Sequence, residues 1–180
     1  AHYPRTKAEA EKLVLAANGP SLATVALRPH LIWGPGDNHL LPRLIDRARR
    51  GKLRRIGDGS NVVDTVYVDN AADAHLLAAD RLGPDSPVAG RAFFISNGEP
   101  INLWDFIDRL LAAFDLPPVK KSMPARIAYA AGGLMEILWR ALPLPGEPRM
   151  TRFLARQLST SHWFDLSAAR RDLGYQPTVS

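Results

Sequence analysis

The chain has 180 residues, of which 46% are hydrophobic and 23% charged, and its net charge is +5. This length and composition are typical of one globular domain with enough apolar material to bury a core. The chain has no cysteine, which excludes disulfides and thiolate metal sites, and its histidines show no zinc-ligand spacing, so we expect no metal. The lack of cysteine is compatible with a reducing compartment, and we expect a cytoplasmic protein.

Much of the positive charge lies between residues 43 and 55. The basic residues of this run are Arg43, Arg47, Arg49, Arg50, Lys52, Arg54 and Arg55. One interpretation is a solvated helix end and turn. The other is a binding site for an anionic partner, such as a carboxylate substrate, an acidic protein or a membrane surface. Since no aromatic residues interleave with the run, we expect no nucleic-acid partner.

No apolar stretch reaches the roughly 18 uncharged residues that a membrane span needs. The nearest candidate, residues 127–144, is broken by Glu136, Arg140 and Pro143, which predicts a buried or interfacial helix. Peripheral contact with a membrane is therefore an open expectation. The chain begins on a motif without an initiator Met, so we expect a fragment of a longer protein.

Helical and extended segments alternate along the chain. The first predicted helix begins at Pro4 and is ended by residues 18–20. Six more predicted helices follow: 40–50; 71–82, capped by Asp69; a helix capped by Asn102 that runs through Phe114; 124–142; 151–158; and a last one, capped by Ser167, that stops at Gly174. The predicted strands cover 22–27, 62–68 and 91–96, and turns lie at 33–38, 57–61 and 97–100. This order predicts an α/β fold with a largely parallel sheet.

Tyr3 and Lys7 lie four residues apart at the start of the first predicted helix, so they share one helix face. A nearby ammonium favours the phenolate form of a tyrosine. Such a phenol can donate a proton to an alkoxide forming from a carbonyl, or remove one from an alcohol. The spacing alone is common in helices, and its context decides whether it is catalytic.

Several further motifs follow Tyr3-Pro4-x-x-Lys7 in a fixed order. They are the segments 27–37, 57–59, 66–75, 164–165 and 169–175. Together they resemble the second half of an extended short-chain dehydrogenase/reductase, and most of all the 3β-hydroxysteroid dehydrogenase/isomerase-like group. The resemblance implies the C-terminal part of a Rossmann-like doubly wound parallel sheet plus a small, mostly helical substrate domain. It places the end of the dinucleotide-binding domain at residues 1–35 and a mainly substrate-binding region, with sheet strands interleaved, at 36–180.

The resemblance also implies a dehydrogenase or reductase that uses NAD or NADP. Tyr3 would be the general acid/base, and Lys7 would hold the nicotinamide ribose. Pro29, His30 and Leu31 would lie against the nicotinamide. The Gly-rich dinucleotide loop and the catalytic Ser or Thr precede the Tyr motif in this superfamily, so we expect this chain to be inactive alone. A homodimer is compatible with the resemblance.

Two departures from related nucleotide-sugar enzymes concern the substrate. Those enzymes often carry an Asn where this chain has Leu31, and an Arg where it has Val63, and both contact a diphosphate. Apolar residues at both positions predict an apolar substrate, sterol-like or a long-chain β-keto acid. Trp33, Val63 and Tyr129 are the candidate pocket residues.

The segments 33–37, 39–43 and 95–100 further resemble bacterial reductases of olefin biosynthesis that act on 2-alkyl-3-oxoalkanoates, a likeness that favours NADP. Two alternatives remain open. One is a nucleotide-sugar epimerase or dehydratase of the same fold. The other is a non-catalytic binding protein that uses the basic run at 43–55.

Overall fold

The computed structural model describes residues 3–142, 144–146 and 148–180. Its helices are α1 (Tyr3–Ala16), α2 (Leu40–Arg49), α3 (Val68–Arg81), α4 (Leu103–Ala112), α5 (Ala125–Ala141) and α6 (Arg152–Gln157), followed by a π-helical segment, Ala169–Leu173. Its strands are β1 (Val25–Pro29), β2 (Ile32–Trp33), β3 (Arg55–Ile56), β4 (Val62–Val63), β5 (Val66–Tyr67), β6 (Arg91–Ile95), β7 (Ile101–Asn102) and β8 (Ser122–Met123). Pro143, one of the three predicted breaks in the apolar stretch, lies outside the described residues.

The elements belong to two interleaved units. The strand unit comprises residues 3–36, Asp64–Pro100 and Trp163–Ser180, and the helix-rich unit comprises Asp37–Val63 and Ile101–His162. In the strand unit, β1 pairs with β6 and β2 pairs with β5, both in parallel. In the helix-rich unit, β3 and β8 are parallel, whereas β4 and β7 are antiparallel. The prediction of an α/β fold with mostly parallel pairing is therefore confirmed.

The core of the strand unit forms where α3 packs on the sheet. Small residues on one face of α3, Ala71, Ala74 and Ala78, allow Phe93 and Ile95 of β6 to approach closely. The buried Tyr175 hydroxyl donates to the carbonyl oxygen of Ser96 at 3.0 Å, and its burial, with a smaller effect of Asp73, raises the pKa of Tyr175 to about 12. The Tyr175 phenol is therefore neutral, as a group buried in this core must be.

Asn70 is buried on α3 and fixes the segment at 178–179. Its side-chain oxygen accepts from the Thr178 backbone amide at 2.9 Å, the Thr178 hydroxyl at 3.3 Å and the Val179 amide at 3.1 Å. Its Nδ2 donates to the Val179 carbonyl at 2.6 Å and to Asn97 Oδ1 at 2.8 Å, and Asn97 Oδ1 also accepts from the Tyr67 amide. One amide thus joins two distant chain segments.

The core of the helix-rich unit is built around Trp104 of α4. Its ring is buried, and its Nε1 donates to Asn61 Oδ1 at 3.1 Å. Asn102 caps this helix, accepting from the amides of Trp104 and Asp105, as the sequence predicted. Farther along, α5 crosses α6 closely because Gly132 faces the backbone of Thr151.

Some predicted boundaries are wrong for local reasons. The first strand begins at Val25 rather than residue 22, because Gly19 and Leu22 form a tight turn with reciprocal backbone hydrogen bonds. The predicted strand 62–68 is two short strands, β4 and β5, which pair with different partners in different units.

Two predicted helix caps are also wrong. The helix predicted at 71–82 begins at Val68, and no side chain caps it, so Asp69 lies inside its first turn. Ser167 does not cap the last helical segment, because its amide and hydroxyl both donate to Asp165 Oδ1. That segment is largely π-helical, and it ends at Gly174 with φ of 64°, where the sequence predicted the stop.

Candidate active site

Helix α1 carries Tyr3 and Lys7 on one face, and both side chains are exposed. Tyr3 is 65% exposed, and α1 has no buried residue. The Thr6 hydroxyl donates to the Tyr3 carbonyl oxygen at 2.9 Å and ties down the first turn. The phenol and the ammonium are therefore accessible to a ligand.

A further residue on this face, Glu11, joins α1 to β1. It lies one turn beyond Lys7, and both its oxygens accept from Arg28, Oε1 from Nη2 at 2.6 Å and Oε2 from Nε at 2.7 Å. These hydrogen bonds from Arg28 hold the pKa of the Glu11 carboxyl below its ordinary value. The pair aligns α1 with the strand that ends at Pro29. Glu11 was not among the residues predicted from the sequence, although the i, i+4, i+8 spacing of Tyr3, Lys7 and Glu11 could have indicated it.

Residues Pro29, His30 and Leu31 lie at the carboxyl end of the parallel pair β1–β6. Pro29 is opposite Ile95 in the register, and the His30 amide donates to the Ile95 carbonyl at 3.0 Å. Leu31 has a φ of 48°, a region that a leucine rarely adopts, and its carbonyl accepts from the Val66 amide. Ligands of open α/β sheets bind outside the carboxyl ends of strands, and strained residues cluster at such sites.

The His30 ring is held by the segment around Asp64. Its Nδ1 lies 2.8 Å from the Asp64 carbonyl oxygen, so Nδ1 carries the proton and donates. Asp64 is fully buried, and its Oδ2 accepts from the Phe164 amide at 2.8 Å. Phe164 packs against His30 with ring centroids 5.1 Å apart and stacks on Phe94 at 4.1 Å. Asp64 and Phe164 thus fix the ring of His30, which is itself a predicted cofactor contact. No local sequence pattern predicted that these three residues would lie together.

The three predicted pocket residues occupy different places. Trp33 is half-buried in the strand unit, where its Nε1 donates to the Thr65 hydroxyl at 3.3 Å and its ring meets Tyr67 edge-on at 5.2 Å. Val63 is buried in β4 of the helix-rich unit. Tyr129 lies on α5 of that unit, 40% exposed, with the Arg156 guanidinium 5.7 Å from its ring centre. The strand unit therefore holds Trp33 together with Tyr3, Lys7 and residues 29–31.

Two absences apply to the part of the chain that the structure describes. It contains no group of three or more His, Asp or Glu side chains arranged to hold a metal ion. None of its helices combines the length and hydrophobicity needed to cross a bilayer.

The fold matches part of solved enzymes with a Rossmann-type fold. Over 99% of its length the chain matches 46% of a dTDP-glucose 4,6-dehydratase from Streptomyces venezuelae, solved with NAD bound, with a TM-score of 0.65 and 20% identity. At that identity the likeness shows the fold alone.

The family follows from the sequence. Residues 1–125 match the 3-beta hydroxysteroid dehydrogenase/isomerase family. The chain belongs to this family, a group of oxidoreductases, which confirms the resemblance predicted from the ordered motifs.

Two curated relatives match along essentially the whole chain. A 2-alkyl-3-oxoalkanoate reductase from Stenotrophomonas maltophilia is 58% identical over 180 residues, which are 100% of this chain and 54% of the relative. A decarboxylating sterol-4-alpha-carboxylate 3-dehydrogenase from Mus musculus is 37% identical over 184 residues, covering 99% of this chain and 51% of the relative. The chain thus spans about half the length of these relatives.

Proposed function

We propose that the protein carrying this chain is an NAD(P)-dependent oxidoreductase that interconverts a 3-hydroxy and a 3-keto group on an apolar substrate. The observation that carries the proposal is the pairing of Tyr3 with Lys7 on a helix that Glu11 and Arg28 align with the end of β1. Family membership and the names of the relatives support the same reaction.

The residues present fit a nicotinamide cofactor. Residues 29–31 lie at the carboxyl end of two parallel strands, which is where dinucleotides bind in such sheets, and the Lys7 ammonium is exposed on the helix aligned with them. Lys7 would hold the ribose hydroxyls, and Pro29, His30 and Leu31 would border the nicotinamide. When bound, NAD or NADP would supply or accept a hydride at the substrate carbon. The likeness to a keto-acid reductase favours NADP.

Tyr3 would move the proton that balances the hydride. In reduction, the hydride adds to the keto carbon while the Tyr3 hydroxyl donates its proton to the keto oxygen, which gives the alcohol and a tyrosinate. The Lys7 ammonium on the same face stabilises the tyrosinate. In oxidation the tyrosinate removes the proton from the substrate hydroxyl.

We propose a long-chain 2-alkyl-3-oxo acid or a sterol-like ketone as the substrate. Leu31 and Val63 are apolar where related sugar enzymes carry polar diphosphate contacts, and a diphosphate deprived of those partners would lose several kcal/mol of binding. The Stenotrophomonas relative is named for a substrate of the first kind, and the mouse relative for one of the second.

The test is Tyr3→Phe in the gene product that carries this sequence, assayed with a 2-alkyl-3-oxoalkanoate and either NADPH or NADH. We expect turnover to fall at least about 100-fold, the usual effect of removing a general acid. The melting temperature should stay constant because the phenol is exposed. Lys7→Ala should also lose activity, whereas Lys12→Ala, an exposed lysine on the same helix, is the matched control.

Near-normal turnover in Tyr3→Phe would contradict the assignment. If the wild-type protein instead turns over a nucleotide sugar and no 3-oxo acid, the epimerase or dehydratase alternative replaces this proposal. A protein without any cofactor-dependent reaction would support the binding-protein alternative.

A further inference from the structure

Asp64 carries a buried carboxylate that the proposed reaction does not use. The residue is fully buried in the strand unit, and its Oδ2 accepts from the Phe164 amide at 2.8 Å. Within the described part of the chain, its Oδ1 is also buried and has no hydrogen-bond partner. Burying such an oxygen costs free energy, and an apolar side chain of similar shape would avoid that cost. The stability of the fold therefore does not account for a carboxylate at this position.

The backbone at Asp64 holds the turn that follows β1. The Asp64 carbonyl accepts from His30 Nδ1 at 2.8 Å, and the Thr65 hydroxyl accepts from Trp33 Nε1 at 3.3 Å. Leu31, with its φ of 48°, lies between these two contacts. A residue in that strained conformation persists only where its surroundings hold it. The contacts from residues 64–65 supply that restraint.

A row of ring contacts connects His30 to helix α1. The Phe164 ring packs against the His30 ring with centroids 5.1 Å apart, and it stacks on Phe94 at 4.1 Å with the ring planes 9° apart. The Arg28 guanidinium lies 4.9 Å from the centre of the Phe94 ring and is paired with Glu11 of α1. Phe164 therefore links a predicted cofactor contact to the helix that carries the proposed general acid.

The position of Phe164 depends on its contact with Asp64. Phe164 follows Asp64 by 100 positions and lies outside the helices and strands, so neither a ladder nor a helix fixes the level of its ring. The hydrogen bond from its amide to Asp64 Oδ2 restrains the backbone there. Asp64 thus holds the His30 ring twice, directly through its carbonyl and indirectly through Phe164.

We propose that Asp64 is a positioning residue of the cofactor site, which holds Phe164 against His30 so that the turn at 29–31 is in place before a nicotinamide binds. The inference rests on the proposed function, because it needs a cofactor at residues 29–31. A residue that fixes a binding group by packing and hydrogen bonds changes the affinity for a ligand that it does not touch.

The test is titration of the gene product that carries this sequence with NADPH and with NADH, followed by the fluorescence of the reduced nicotinamide, with no substrate present. Asp64→Leu keeps a branched side chain but removes the acceptor. We expect it to raise the dissociation constant of the preferred cofactor about tenfold, since the binding groups are displaced.

Asp64→Asn is the conservative variant. It keeps an acceptor oxygen for the Phe164 amide, so its dissociation constant should stay within about threefold of the wild-type value. Its melting temperature should equal or exceed that of the wild type, because a neutral amide costs less to bury than a carboxylate. A role in the fold alone would change the melting temperature and leave the affinity for the cofactor unchanged.

Phe164→Leu tests the second contact. It should also raise the dissociation constant about tenfold, and combining it with Asp64→Leu should add little, because both changes break the same connection. Normal cofactor binding by Phe164→Leu overturns the proposal even if Asp64→Leu fails to fold. Val88→Ala is the control: Val88 is fully buried in the core of the same unit, so this change loosens the unit without removing a ring contact or its hydrogen bond.

Four results overturn the proposal. They are wild-type affinity in Asp64→Leu, additive effects in the double variant, an Asp64→Asn variant as weak as Asp64→Leu, and an equal loss of affinity in Val88→Ala. Failure of the proposed function gives a different result, since the wild-type protein would then bind neither NADPH nor NADH, and the inference would fall with it.

Discussion

Replacing Asn70 with Asp changes one buried NH₂ group to an oxygen without changing the side-chain shape. In the native protein that group donates to the Val179 carbonyl at 2.6 Å and to Asn97 Oδ1 at 2.8 Å. Neither acceptor can donate in return, because the first is a carbonyl and the second already accepts from the Tyr67 amide. A carboxylate would therefore face two oxygens at a position that is 1% exposed.

The loss of stability can be calculated from the free energy needed to keep the new carboxyl protonated in the folded protein. An unfolded aspartate has a pKa of about 3.9, and each pKa unit corresponds to about 1.4 kcal/mol. Keeping the folded side chain protonated at pH 7 therefore costs about 4 kcal/mol, and its single proton can satisfy only one of the two acceptors. We expect Asn70→Asp to lower the free energy of unfolding by about 4 kcal/mol at pH 7.

The dependence on pH follows from the same argument. The folded pKa of the new carboxyl lies above the unfolded value, so the penalty is fully present above the folded pKa and shrinks as the pH falls. The difference from wild type should decrease by about 1.4 kcal/mol per pH unit toward pH 4. Urea unfolding followed by circular dichroism measures it, and Asn38→Asp makes the same chemical change at an exposed site. A loss below 1 kcal/mol that does not vary with pH would refute the reasoning.

Two further experiments test the packing of α5 on α6 and the alignment of α1. Gly132→Ala should destabilise the protein by about 1–3 kcal/mol despite the better helix propensity of alanine, since its Cβ would lie 2.6 Å from the Thr151 carbonyl carbon. Gly133→Ala is the control: its Cβ would lie 3.5 Å from the flexible Arg152 side chain, so this substitution should be neutral or stabilising. If thermal melts show the same loss for both alanine variants, the close crossing of α5 and α6 at Gly132 is contradicted. A double-mutant cycle of Glu11→Gln and Arg28→Gln should give a coupling of about 1 kcal/mol, since both side chains are partly exposed. Because the folded pKa of Glu11 is lowered, the coupling should be full above about pH 4.3 and vanish as the pH falls through the folded value, and a coupling that persists at pH 2 would contradict the ion pair.

Local signals in the sequence were sufficient for some elements. Asn102 caps α4 because an amide followed by an apolar helix is a local pattern, and Gly174 ends its helix because its left-handed φ suits glycine. The shared face of Tyr3 and Lys7 needed only the helical period.

Other features depend on contacts between distant segments. The Phe164 amide reaches Asp64 across 100 positions, and Asn70 binds Val179 across 109. No local sequence pattern contains such pairings. The sequence therefore predicts one strand at 62–68 where the structure has two, β4 and β5, and it does not predict the position of the His30 ring. The site residues Tyr3, Lys7, Pro29, His30, Leu31, Trp33, Val63 and Tyr129, the domain boundary at residues 35–36, a homodimer and a cytoplasmic location stay predictions.

The interleaving of the two units sets an order for folding during synthesis. Strand β1 cannot pair until β6, which follows 66 positions later, has been synthesised. The strand unit is complete only when residues 163–179 pack against α3. The helix-rich unit likewise spans two separated stretches, so neither unit can finish from one continuous piece of nascent chain. A chain that ends before residue 163 would therefore leave the α3 core uncovered.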